Sequence, residues 1–516
     1  NAGNLYWFAA QVNGGDPDAN AILTADIVVN RGDMSQSTAN AKIWIQISEY
    51  AGVFDGNHKT ISGLYAGNGG MFHTIQEFGV VKDLQVVCSS TSVAGIANTN
   101  YGSLQNVHYS GKVTGSTGVG GLVQMNYSLI SGCSFSGTVS SSSNSGSTGG
   151  IAYYNYGTIV DCYNAGKIDS DSNRAGGIAA INDTKGKIIN CYNAGTVSGT
   201  TYVGGIAGYN CGEVHYCYNT AAVSADYNVG GIVGYNENGL IYGSYNTGAV
   251  TAIYASAGGI AGINYGEINA CYNTGTVLCL SFSYCYQSGG IAGSNSGRII
   301  NCFYRSGCAT GDNGSIQNGV GSNSSTPKKD LPGECIGVST EQFASGEVCW
   351  LLNSGTYDGE TIWFQTIGTE EAPRLSGSVV YKNQTGGCSE ETYTYAYSNT
   401  YTPAVTNHRY KAVVTAPTCT EAGYTTYTCA CGHSYVADEV AALGHKYTES
   451  VTKQPTCTEK GEKTFACSCG DQYTEEIAAT GHTEEVIPGK AATCTESGLT
   501  EGKHCSVCNE VLVAQE

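Results

Sequence analysis

One register of residues dominates this chain. A spelling close to Gly-Gly-Ile-Ala-Gly recurs between Gly120 and Gly293, and aligning on its third residue gives a column of Ile96, Leu122, Ile151, Ile178, Ile206, Ile232, Ile260 and Ile291, spaced 26 to 31 residues apart. Asparagine stands four residues past every member, at Asn100, Asn126, Asn155, Asn182, Asn210, Asn236, Asn264 and Asn295. Each unit continues as Ile/Val-x-x-Cys, as from Ile159 to Cys162, then commonly Tyr-Asn, then a β-branched residue such as Ile168 or Val197 six residues past the Cys. Self-similarity at this period means stacked supersecondary units, none of which can bury its apolar face alone. Short apolar stretches bounded by Gly and Asn read as strands and turns, and the unit has no room for a long helix. The expected fold is all-β: a parallel β-helix solenoid with one unit per coil and about ten coils, rising roughly 4.8 Å each.

The columns assign roles within a coil. Ladder asparagines suit bends, because Asn tolerates left-handed backbone and its amide can bond the same residue one coil away. Gly166, Gly195, Gly248 and Gly275 suit a second bend by supplying positive φ. The Cys column, occupied by Leu64, Leu84 and Val107 in early coils and by Ser244 in a later one, reads as a buried apolar slot in which Cys acts as a small hydrophobe. Raw solenoid ends must be covered. Asn4 to Val12 has a helical apolar pattern that would close the first coil, and Ser339-Thr-Glu-Gln342 has capping-box spacing ahead of a second capping helix. Cys335 and Cys349 are candidates for a bridge there.

The resulting division is an N-terminal cap and first coil over 1–62, β-helix repeats over 63–310, a C-terminal cap over 311–376, a Thr/Tyr-rich linker over 377–407, and three small Cys-rich β modules over 408–444, 445–481 and 482–516. The modules open at His408, His445 and His482, 37 residues apart. Each contains Thr-Cys-Thr-Glu-x-Gly, at Cys419, Cys457 and Cys494, and a close Cys pair, Cys429 with Cys431, Cys467 with Cys469, and Cys505 with Cys508. Three Cys and one His per unit form a structural zinc set by type, although the first two pairs are Cys-x-Cys. Disulfides are the competing reading for an exported chain. Either role is structural, since units this small need a staple.

Composition narrows function. A formal charge of −19, from 42 acids against 23 bases, opposes binding to nucleic acid or an anionic membrane through a basic face. No run approaches the roughly 20 apolar residues of a membrane crossing. Twenty-three cysteines suit export, and the odd count leaves one thiol for metal, freedom or self-association. Glu213 and Glu267 share a repeat position but stand two coils apart, which reads as solvated turn residues and not as a catalytic pair. Tyr153, Tyr209, Tyr235 and Tyr265 are candidate binding residues, because aromatic rows on a rigid rod can stack on sugars or peptides; the competing role is stacking between coils.

The pattern Gly-Gly-Ile-Ala-Gly-Tyr-Asn-x-Gly-x-Val-x-x-Cys-Tyr-Asn, from Gly204 to Asn219, resembles proteins carrying the GLUG motif, which are exported bacterial surface proteins and adhesins. The motif also occurs beside the protease domain of IgA-specific metallopeptidases, but their His-Glu-x-x-His is absent here. The tail resembles a Cys-rich repeat at the ends of exported clostridial-type proteins, which implies a Gram-positive source. These resemblances, over roughly residues 1–376 and the tail, imply a secreted or cell-surface, non-catalytic structural or adhesion protein that needs no cofactor beyond structural zinc. Its partner is then a surface glycan or protein. A polysaccharide lyase or hydrolase on the same fold, or an extracellular filament subunit, are the alternatives.

Overall fold

Like residues opposite like residues is the arrangement that buries one apolar face per coil, and the computed structural model has it. Described are residues 1–31, 41–67, 69–141, 146–171, 173–281, 287–311, 316–321, 335–354, 361–366, 368–376, 393–394, 400–401, 410–429 and 434–516. The chain divides into two units, Asn1–Asn383 and Gln384–Glu516. In the first, Ile159, Ile188, Val214, Ile241 and Ile268 face one another in successive parallel coils. Val139, Ile168, Val197, Val223, Val250 and Val277 form a second file. The sheet carrying the ladder asparagines has ten strands, a neighbouring sheet has seven, and the remaining strands of the coils join a 27-stranded sheet. Ile206, Ile232 and Ile260 are fully buried in one continuous core.

The asparagines from Asn100 to Asn264 are buried, Asn295 is half-buried, and together they form a chain of amides. From Asn100 to Asn264, each Nδ2 donates to the Oδ1 of the next coil at 2.7–2.8 Å. Buried amides must find partners, and the stacking supplies them. The ladder starts where Ile75 lies opposite Asn100, and there Asn100 Oδ1 is left without a partner. A second ladder, not anticipated as one, runs through the Tyr-Asn pairs from Asn164 to Asn273 at 2.7–2.8 Å.

The Cys slot is buried as expected from Leu84 and Val107 onward, whereas Leu64 lies opposite Cys88 and outside that file, and burial pushes the thiols of Cys133, Cys191 and Cys271 well up. It is not purely apolar. The sulfurs of Cys133, Cys162, Cys191 and Cys271 each accept an amide from the preceding coil, as from Cys133 N to Cys162 Sγ at 3.3 Å, and the slot thiols donate to the carbonyl two residues back, as from Cys191 Sγ to Ile189 O at 3.2 Å. Ser244 fits because its hydroxyl makes the same bonds, accepting from Cys217 N at 3.1 Å and donating to Tyr242 O at 3.0 Å.

The expected positive φ at Gly166, Gly195, Gly248 and Gly275 is not found. The left-handed position is the residue before the Cys slot: Asp161, Asn190, Tyr216, Gly243, Ala270 and Asn301 have φ of 49 to 58°. Glycine is required at the expected sites by close approach instead. A Cβ on Gly195 would stand 1.8 Å from the Gly166 carbonyl oxygen, and one on Gly275 would stand 2.0 Å from that of Gly248.

Helix α1 (Ala2–Asn13) closes the first coil. Asn1 caps it by accepting from Asn4 N at 3.1 Å, and Leu5, Phe8, Ala9 and Val12 are buried. Phe8 packs edge-on against Tyr50 at 5.9 Å. The C-terminal cap departs from expectation. Helices α2 (Thr340–Ala344), with the predicted Ser339/Gln342 capping box, and α3 (Glu347–Ser354) do not sit over the last coil. They lie on the outer face of the solenoid, where Phe343, Val348, Leu352 and Trp363 cover Tyr242, Tyr245, Ala270, Tyr272 and Phe303 in a second apolar cluster. An outward apolar row of this size has to be withdrawn from water, and that need places the helices. Strand Cys335–Val338 instead extends the stack by pairing with Cys302–Arg305. Cys335 therefore joins the interior core while Cys349 is a free thiol in the lateral cluster, and the expected bridge is not formed.

The second unit contains three antiparallel three-stranded sheets: Tyr410–Thr415 with Gly423–Cys429 and Ser434–Val440, Tyr447–Lys453 with Gly461–Cys467 and Gln472–Ile477, and Glu484–Ile487 with Gly502–Cys505 and Val511–Val513.

Candidate functional site

Two sets of side chains stand out, an outward aromatic surface and the Cys/His groups of the tail. Because coils repeat at the spacing of stacked rings, tyrosines at equivalent positions stack face to face. Tyr163, Tyr192, Tyr218, Tyr245 and Tyr272 do so at 4.9–5.0 Å and within 6° of parallel. Tyr101, Tyr127 and Tyr156 form a shorter row. In such rows the ring faces are consumed by neighbours, so edges and hydroxyls are what remain for a partner.

The four candidate tyrosines differ on this point. Tyr209 and Tyr235 are parallel at 5.1 Å, Tyr202 meets Tyr235 edge-on at 5.0 Å, and the Arg174 guanidinium lies 4.8 Å over the Tyr209 ring. The Tyr209 hydroxyl donates to Glu237. Tyr153 packs edge-on against Tyr154. Tyr265 is half exposed and tilts 41° away from Tyr235. It borders an open depression with Asn238, Leu240, Glu267, Ser296 and Arg298, in which Arg298 Nη1 meets Glu267 Oε2 at 2.9 Å. Glu213 sits two coils from Glu267 with Leu240 between them, and it pairs with Lys187 at 2.9 Å.

In the tail, two groups of three Cys and one His converge, Cys419/His445/Cys467/Cys469 and Cys457/His482/Cys505/Cys508, with ligand atoms all within 4.8 Å of one another. The Cys419–Cys467 and Cys457–Cys505 sulfurs are 3.6 Å apart, and the Cys469 and Cys508 sulfurs lie 3.3 and 3.4 Å from His Nδ1. A tetrahedron with Zn–S of about 2.3 Å and Zn–N of about 2.0 Å has edges of about 3.8 Å (S···S) and about 3.5 Å (S···N). The groups match it. A disulfide needs sulfurs about 2.05 Å apart and would strand a third thiol. His482 Nε2 faces Glu510 at 3.5 Å, the carboxylate partner that orients a metal-bound imidazole. The Cys469 amide, the Cys469 thiol and His445 hold Cys467 down to about 6. At Cys505 burial is outweighed by the amides of Cys508 and Val507 and by His482, which hold it at about 5. In each group one thiol is thus shifted toward the thiolate form that a cation binds.

The expected sets of one His and three Cys within each module are not the ones assembled: each group takes one Cys from the module before. Cys494 is exposed and stands outside both groups. His408 and Cys431 lie outside the described residues, and of Cys429 only the backbone, at the end of its strand, is described.

A family model described as the GLUG motif matches residues 225–251. Among solved structures the chain is similar to a Bacteroides ovatus protein provisionally described as an immunoglobulin A1 protease, at 19% identity, over 69% of this chain and 86% of that chain, with a TM-score of 0.31. No curated protein matches. The chain carries the GLUG motif on a parallel β-solenoid, followed by small Cys/His modules. Among the described residues no helix is long and apolar enough to cross a membrane.

Proposed function

We propose that this protein is a secreted or cell-surface, non-catalytic scaffold of a bacterium, whose solenoid displays a glycan-binding face and whose tail is a spacer stabilised by structural zinc. The observation that carries the reading is the Tyr265 depression. A half-exposed ring with an open face stands beside the Glu267–Arg298 pair, which joins an apolar platform to charged hydrogen-bonding groups, the combination a sugar ring uses. The Tyr265 ring leans on Tyr235, which is itself stacked on Tyr209, and this support fixes the platform before binding, which lowers the ordering cost. A hydrolase is the less favoured reading, since Glu213 and Glu267 are each engaged by a base and separated by Leu240, whereas glycoside hydrolysis works through a pair of carboxyl groups facing one bond. A disulfide at Cys279 agrees with an oxidising compartment.

A glycan-array screen with the full chain tests this. Binding to a defined glycan class, reduced at least tenfold by Tyr265→Ala and by Arg298→Ala but unaffected by Tyr163→Ala, is the expected outcome. Binding that survives both substitutions, or no glycan bound at all, rejects the assignment.

A further inference from the structure

The ligands of each Cys/His group come from two consecutive modules, and the local chain explains why. Within a module the Thr-Cys-Thr-Glu cysteine precedes the middle strand and the Cys pair closes it. The strand Gly461–Cys467 has seven residues, which at roughly 3.4 Å per residue separates its ends by about 20 Å. Cys457 and Cys467 therefore cannot hold one ion. The third strand then returns the chain to the start of the middle strand, where Leu443 N donates to Thr418 O and Thr480 N to Thr456 O, both at 2.9 Å. Gly444 and Gly481, at φ 70° and 74°, turn the chain there, so that His445 arrives beside Cys419 and His482 beside Cys457.

We infer that each metal ion is a joint between modules and not a staple within one: one zinc couples the first module to the second, and another couples the second to the third. The inference rests on reading these groups as zinc sites and specifies what the zinc does. Soft thiolate and imidazole donors in a tetrahedral set select zinc over calcium or magnesium. Among the described apolar side chains of the tail, Cys457, Cys467 and Cys505 are the buried ones, so the ions and their ligands are the core that neighbouring modules share. Metal then controls whether the tail behaves as one coupled body or as separate short sheets.

The test is zinc content per full-length chain after reconstitution under reducing conditions and desalting, read together with alkylation of thiols. The wild type is expected to keep one tightly bound equivalent for each of the two groups found among the described residues. Cys419→Ser and Cys457→Ser should each retain one equivalent fewer than the wild type, and Cys494→Ser should retain as many as the wild type. In the loaded protein Cys494 should react with N-ethylmaleimide while Cys457, Cys467 and Cys505 are protected until a chelator is added. If zinc is bound but Cys494→Ser loses an equivalent, the sites lie within modules and the joint is refuted, because Cys494 is a ligand only in a site built from one module. If the wild type retains no zinc, the zinc reading fails and the joint with it. The Cys494→Ser arm stays informative even where a ligand substitution unfolds its module, because Cys494 is exposed and outside both groups.

Discussion

At the scale of single residues, the coils are held by polar side chains that only stacking can satisfy. Asn210 accepts from Asn182 and donates to Asn236, each at 2.8 Å, with no exposure to water. Asn210→Leu preserves approximate shape but leaves a buried donor below and a buried acceptor above, each costing about 1–3 kcal/mol. The expected loss is about 2–6 kcal/mol, read as faster amide exchange in the coils on either side and a lower denaturant midpoint. The first asparagine ladder was legible from spacing alone, because an invariant four-residue offset in eight coils leaves no other place for those amides. The positive-φ column was legible in part. Asp83, Asn106, Gly132, Asp161, Asn190, Gly243 and Asn301 are the Asx and Gly residues that tolerate left-handed backbone, and Tyr216 and Ala270 break the pattern; the glycines that looked like bend residues answer instead to the spacing between coils.

At the scale of elements, helices α2 and α3 show where pattern reading stops. Their capping box and apolar residues announced helices correctly. Their destination depended on Tyr245, Tyr272 and Phe303 forming an outward apolar row, and that row exists only after the coils have stacked in register. Trp363→Ala removes the largest fully buried side chain of this cluster and is expected to cost about 3–5 kcal/mol. The loss should be local: limited proteolysis would cut within 335–376 while coils around Ile178 and Ile206 keep their exchange protection. Equal loss of protection throughout the solenoid would mean that the lateral cap is integral to the stack.

At the scale of the whole molecule, the two units rest on different physics. The solenoid has a continuous apolar core, whereas among the described residues of the tail the buried apolar side chains are cysteines of the two Cys/His groups. A strong zinc chelator is therefore expected to abolish amide protection in 447–513 while leaving the coils unchanged, as hydrogen exchange would report. That the modules share ligands was missed because equal 37-residue spacing invites one site per repeat. The clue was present in the extended run between Cys457 and Cys467, too long and too straight to fold back on one ion.

The parallel register has one more implication. Gly204 and Gly230 occupy equivalent points of adjacent coils, so excising residues 205–230 would join Gly204 to Gly231, set Asn182 against Asn236 and Tyr192 against Tyr245, and break no file of side chains. Such a variant should fold to a body one rung shorter with its ends unchanged, detectable as a smaller hydrodynamic radius. Reach is then a property this architecture can gain or lose in whole rungs by a single recombination event, without redesigning any contact.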